Sequence, residues 1–196
     1  MRARLRDDAG LSSVEFALIL PAALALILLV GHMSEILMAQ ARVERAARNL
    51  ADAAAMMESI SDAQMADLRA GTAAVIAPTP GALSVTLTSV GIAEGTAKVR
   101  WSDGDAARGA GETLALDSST LAAYGDIAPA NLLVGETQLT YVSRFAAVWN
   151  ALPFVADTLS LTTPLTGRAT ALPAVVAGTP PAIVATTRLT AGGAVQ

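Results

Sequence analysis

The sequence predicts an α+β protein in which one long N-terminal helix packs against a small antiparallel sheet. Three observations carry that prediction. Nineteen residues without Asp, Glu, Lys or Arg separate Glu15 from Glu35, about 28 Å as a helix and close to the hydrocarbon thickness of a bilayer. Helical periodicity then continues to Met57 with neither Gly nor Pro between Glu35 and Met57. Farther on, "LSVTLTSV" (83–90) alternates Leu83, Val85 and Leu87 with Ser84, Thr86 and Thr88, the period-2 pattern of a half-buried strand.

Composition narrows the function classes. Of 196 residues, 53% are apolar and only 15% charged, more hydrophobic than an ordinary soluble domain. The excess lies near the N-terminus, which points to one membrane segment. Net charge is −4 with no basic face carrying interleaved aromatics, which argues against nucleic acid as a partner. The chain has no cysteine, so disulfides, thiolate chemistry and Cys-based metal sites are all excluded. Its single histidine, His32, lies inside the apolar run, which excludes His-pair metal sites and Ser-His triads.

Arg2, Arg4 and Arg6 precede the apolar run. The positive-inside bias puts that end in the cytoplasm and everything after Glu35 outside. Three readings of the segment compete: a plain signal anchor, a secretory signal cut after Ala39-Gln40-Ala41, and one that accounts for Gly10 and Glu15. The secretory site lies too far beyond the apolar run, and the run is longer than a usual signal core. Glu15 is the odd feature, because a carboxylate at the head of a lipid-facing helix needs a partner or a purpose. Pro21, inside the run, removes a hydrogen bond to the Ala17 carbonyl, which a packed bundle tolerates.

A charged leader ending in Gly10, followed by Leu11, Glu15 as the fifth residue counted from Leu11, and Phe16, resembles a class III signal of the type cut by prepilin peptidases. "SSVEFALILPAAL" is more specifically similar to the TadE-like pseudopilins of the tight-adherence (Tad) pilus system. The resemblance implies cleavage of the Gly10–Leu11 bond, with Met1–Gly10 as leader. It also implies a role for Glu15 and Phe16 in assembly and registry. A free α-amine on Leu11 would stand one helical turn from Glu15, and the pair could neutralise each other within a chain or between subunits. The structural alternative is a Glu15 that snorkels to the headgroups.

Beyond the membrane, Ile36, Gln40, Val43, Ala47, Leu50, Ala54 and Met57 follow alternating four- and three-residue steps, a heptad-like stripe. Glu44, Arg48 and Asp52 form an i, i+4 ladder of alternating sign on the other side. Ile36, Val43, Ala47 and Leu50 are thus the candidate stalk-packing residues, against other subunits or against the chain's own outer domain. In the intersubunit case Ala47→Glu would block assembly while the outer domain still folds, and Arg48→Glu would not.

The domain plan is a leader (1–10), a transmembrane and stalk helix (11–57), an outer α+β domain (58–172) and a flexible tail rich in Pro, Ala, Thr and Gly (173–196). Ser61 or Asp62 caps a second helix, "DAQMADLRAGTAAVIA", ending at Pro78. Strand 83–90 turns at Gly91–Gly95 into "AKVRW" (97–101), with Lys98 and Arg100 facing water and Trp101 capping the core. Residues 102–136 read as loop with a helical turn at "SSTLAAY", followed by strands 137–143 and 157–163 in an antiparallel meander. In the resemblance, Glu136, Tyr141 and Arg168 occupy the places of an acidic residue, an aromatic and a basic residue of the later strands. The tyrosine and the residues after it depart from the family's usual "Y-x-Y-x-P".

No catalytic constellation emerges, and no cofactor or metal site. Asp103 and Asp105 suggest a calcium loop, but Ala107 and Leu114 occupy the fifth and twelfth positions, so the EF-hand pattern fails. The expected function is therefore structural: a minor pilin or pseudopilin of a Tad-type pilus used in surface adherence, single-pass in a bacterial inner membrane. Expected partners are a prepilin peptidase, other pilin and pilus-assembly subunits, and inner-membrane lipid. The alternatives are a signal-anchored periplasmic binding or receptor domain, and a minor pseudopilin of another secretion system.

Overall fold

The computed structural model describes residues 7–125, 130–150, 162–172 and 182–184. Helix α1 runs unbroken over Asp7–Ala55 and contains Pro21, so it begins ahead of the expected start at Leu11. The described residues fall into two compact units. One holds α1 up to Met38 together with the segment from Ser143; the other holds Ala39–Val142 and the strands from Thr162.

In the first unit, most apolar side chains of α1 from Val14 to Val30 are exposed, with Phe16 at 65% and Leu18 at 74%, while Ala23, Ala25, Leu28 and Leu29 are half-buried. This helix is long and apolar enough to cross a membrane, and the chain acquires a single-pass membrane anchor by it. Above the apolar run, His32 is buried and its Nδ1 lies 3.0 Å from Ser143 Oγ. A short helix α4 (Ala146–Asn150) follows Ser143.

In the second unit, α1 ends at Ala55, the brief strand β1 (Ser59–Ser61) follows, and α2 spans Asp62–Ile76. Ser61 caps α2 as expected: its hydroxyl accepts from Gln64 N while the Gln64 side chain takes the Ser61 N–H, a reciprocal capping box. The sheet comprises β2 (Gly81–Ala93), β3 (Thr96–Gly104), β4 (Ala130–Val142) and β5 (Thr162–Ala171), with α3 (Ser118–Gly125) between β3 and β4. A last strand, β6 (Ala182–Val184), falls in the segment read as a tail and pairs in parallel with β1.

Several sequence expectations change here. The strand order is β3-β2-β4-β5, so the sheet is antiparallel but not a meander: β4 enters beside β2, on the side away from β3. The hairpin turns at Glu94 and Gly95, both with positive φ, a two-residue turn whose twist matches its strands. Gly91 lies within β2. Strand β4 begins at Ala130, ahead of the expected 137, and β5 runs to Ala171. Residues 157–161 of the expected strand 157–163 lie outside the described residues. Lys98 and Arg100 are exposed and Trp101 packs on the core, as the alternation implied.

Strand β2 was expected to be half-buried, yet every residue from Val85 to Val90 is buried. Both faces of the sheet are covered. On one, Val85, Leu87, Leu133 and Ala171 pack with Leu50, Ala51 and Ala54 of α1 and Met65 of α2. On the other, Val90, Ile92, Leu132 and Val134 pack with Leu114, Leu116 and Leu121 from the β3–β4 connection. The hydroxyls on that second face find partners, as burial requires: Thr88 Oγ1 meets Ser102 Oγ at 2.8 Å, and Thr86 Oγ1 accepts from Ala106 N at 3.1 Å.

The sheet's edges are occupied as well. Along β3, backbone bonds join Val99 N to Glu112 O (2.8 Å), Gly111 N to Val99 O (2.7 Å) and Leu114 N to Ala97 O (2.9 Å). The ladder skips Arg100 where Ser89 pairs with Trp101 and Val90 with Val99, which marks a bulge. Edge strand β5 carries Pro164, and its Thr166 carbonyl accepts from Gln40 Nε2 at 2.9 Å.

The helix-to-sheet contact is a backbone contact. A Cβ on Gly135 would lie 2.6 Å from the Ala47 carbonyl oxygen, and one on Gly167 2.6 Å from that of Val43. Thr137 Oγ1, between them on the same face, donates to the Val43 carbonyl at 2.9 Å. Gly135→Ala should therefore destabilise the unit by about 1–3 kcal/mol through overpacking. Gly71→Ala is its counterpart: nothing lies within 4 Å of a Cβ there, and α2 should gain about 0.5–1 kcal/mol. Thermal or urea unfolding of the two variants should move in opposite directions.

Candidate functional site

The N-terminal part of α1 holds the residues that the sequence singles out. Gly10 and Leu11 lie in its first turns, and Glu15 and Phe16 follow, both exposed. A helix places residues four apart on one face, one turn apart, so positions 11 and 15 share a stripe. Around Glu15 stand Val14, Phe16, Leu18 and Ile19, all exposed. A carboxylate thus opens an otherwise lipid-compatible surface.

The stalk-packing candidates separate. Ile36 is half-buried, whereas Val43, Ala47 and Leu50 are 0%, 0% and 2% exposed against the sheet of their own unit. Of the two packing partners left open by the heptad stripe, the structure supplies the intramolecular one for these three residues. The physical reason is size: Ala46, Ala47, Ala51 and Ala54 leave a flat helix face on which strand glycines can seat. An Ala47→Glu side chain would meet β4, so loss of assembly in that variant would report unfolding. Glu44, Arg48 and Asp52 are exposed, as the charge ladder implied.

A second polar cluster lies on the far face of the sheet. Glu136 and Arg168 are direct cross-strand partners in the β4–β5 ladder, and Arg168 Nε donates to Glu136 Oε1 at 2.7 Å. Arg108, from the β3–β4 connection, pairs with Glu136 Oε2. Arg168 Nη1 also donates to the Ala115 carbonyl at 2.8 Å. Sequence similarity placed Glu136 and Arg168 in the later strands; nothing in it marked Arg108, whose position is set only by the connection folding back over the sheet. Tyr141, the third residue so placed, is buried on the opposite, helix-facing side.

Electrostatics make this cluster a fastener. Burial works to raise the Glu136 carboxyl, but hydrogen bonds from Arg108 and Arg168 outweigh it and hold the group below its ordinary 4.5. The carboxylate joins the sheet to the segment that covers it. Asp103 and Asp105, the calcium-loop candidates, are likewise engaged: Asp103 pairs with Arg69 at 2.7 Å and Asp105 accepts from Val85 N at 2.9 Å.

A single apolar helix followed by a small antiparallel sheet defines a membrane-anchored protein of pilin-like layout. Residues 10–52 match the family model described as TadE-like protein, which bears out the resemblance read from "SSVEFALILPAAL". The match includes Gly10, Glu15 and Phe16 and ends short of the sheet. Comparison with curated proteins and with solved structures gives no match.

A depressed carboxyl contributes stability that is present above its unfolded-state value and lost as pH falls through the folded one. Glu136→Gln should cost about 1–3 kcal/mol at neutral pH, the scale of hydrogen bonds to charged groups. It should also flatten the decline of the melting temperature as pH falls below about 4.5. Calorimetry of both proteins across that range checks the sign.

Proposed function

We propose that this protein is a minor pilin or pseudopilin, a structural component of a Tad-type pilus assembly used in surface adherence. It is matured by a prepilin peptidase and held in a bacterial inner membrane, with the N-terminus cytoplasmic and the sheet unit periplasmic until assembly. The observation that carries this reading is the uncovered apolar surface from Val14 to Val30 with Glu15 at its head, within the TadE-like match. A mere tether needs the apolar surface; it has no use for the carboxylate.

Gly10–Leu11 is the expected processing site. It lies near the start of α1, within its first two turns. Gly10 has no side chain to obstruct approach of a peptidase to the bond. Cutting there removes three Arg and two Asp and takes the formal charge from −4 to −5. N-terminal sequencing of membrane-extracted protein should begin at Leu11. A start at Met1 would favour the plain signal anchor, and a start at Arg42 the secretory signal.

Glu15 and Phe16 belong to assembly in this reading. The new α-amine of Leu11 and the Glu15 carboxylate form a pair at one membrane depth, so a subunit inserting beside another is held in register. Glu15→Ala should leave processing and insertion intact, because removing a charge eases insertion, while incorporation into pili falls. Normal incorporation of the variant would remove the registry role.

A further inference from the structure

Segment 143–150 packs on α1 where the apolar run ends. The Phe145 ring lies over Gly31: a Cβ there would stand 3.8 Å from the ring edge, an ordinary van der Waals distance. Ser143 Oγ is 3.0 Å from His32 Nδ1, and Phe145 N donates back to Ser143 Oγ at 3.2 Å. These contacts lie within one compact unit, so the segment has a defined height on the helix. Gly31 stands about 24 Å along the axis from Glu15. A hydrocarbon core is about 30 Å thick. With Glu15 at one boundary, the segment lies at the other.

Its chemistry suits that depth. Arg144 is exposed, Phe145 is half-buried and Val148 is 43% exposed, and Trp149 is next in sequence within α4. A cation beside aromatic and aliphatic groups is the composition of the headgroup boundary, where amphipathic rings and arginine stems have both an apolar and a charged neighbour. On α1, Val30 and Met33 flank the Gly31–His32 contact and are 59% and 43% exposed.

We infer that residues 144–150 lie in the phospholipid headgroup layer opposite Glu15, so that Arg144, Phe145 and α4 fix the depth and rotation of the membrane helix. This goes beyond the pilin reading and rests only on α1 spanning the bilayer. The helix then has two depth markers, Glu15 at one face and this segment at the other.

The absence of cysteine permits single nitroxide labels in the full chain reconstituted in phosphatidylcholine–phosphatidylglycerol vesicles. Leu26→Cys reports the hydrocarbon, Ala110→Cys, exposed in the sheet unit, reports water, and Val148→Cys is the test. All three replace exposed side chains, which keeps folding out of the comparison. Power saturation should show position 26 accessible to oxygen and not to a nickel chelate, and position 110 the reverse. Position 148 should fall between them, its oxygen-to-nickel ratio several-fold above that of position 110. A value at 148 equal to that at 110, with 26 still shielded, overturns the inference and leaves the anchor intact. If 26 is also open to the chelate, the anchor fails and this inference fails with it.

Discussion

Everything in the sheet unit depends on how closely a helix backbone can approach a strand. Leu and Ile side chains normally hold such layers about 10 Å apart. Here Gly135 and Gly167 present bare backbone to the Ala47 and Val43 carbonyls, and the alanines of α1 present little more. The helix sinks onto the sheet, and Leu50 can then reach Leu87 and Leu133. That geometry also explains why the outer half of the helix has so few large apolar residues. Small ones are what the contact requires.

The same approach decides where the remaining polar groups go. With one face of the sheet closed by α1 and α2, the β3–β4 connection closes the other, and Glu136 becomes a half-buried carboxylate that two arginines must satisfy. The cost of desolvating one charge is offset by two guanidinium donors, one from the adjacent strand and one from the covering segment. A polar cluster of this kind selects one way of laying the connection over the sheet, because any slip leaves the carboxylate short of a donor.

Much of the layout was legible from periodicity. The apolar run, the charge ladder Glu44–Arg48–Asp52, the Ser61 cap of α2 and the β2–β3 hairpin all stem from local rules that the structure obeys. The features that were not legible depend on long-range partners. The heptad stripe showed which face of α1 is buried but could not say against what. The answer lay in Gly135 and Gly167, strand glycines that mark close backbone approach once their strands are known. Strand β4 was read too short because Gly135 interrupts its apolar residues, and β2 was read as one-sided because its buried threonines resemble solvent-facing ones. At the N-terminus the balance reverses. Glu15 stands out as a carboxylate at the head of an apolar run, Gly10 and Phe16 through the resemblance to prepilin signals, and the fold adds chiefly that the surface around Glu15 and Phe16 is uncovered.

The treatment of the sheet's two edges has a consequence for how copies of this chain can join. Strand β3 is sealed by the backbone of residues 109–114 and bulged at Arg100, while β5 carries a proline and spends the Thr166 carbonyl on Gln40. An open edge invites a strand from another molecule; charges, prolines and bulges discourage it. Neither edge offers a clean ladder for extension. Along this four-stranded sheet, then, pairing with a strand from another molecule is disfavoured at both edges.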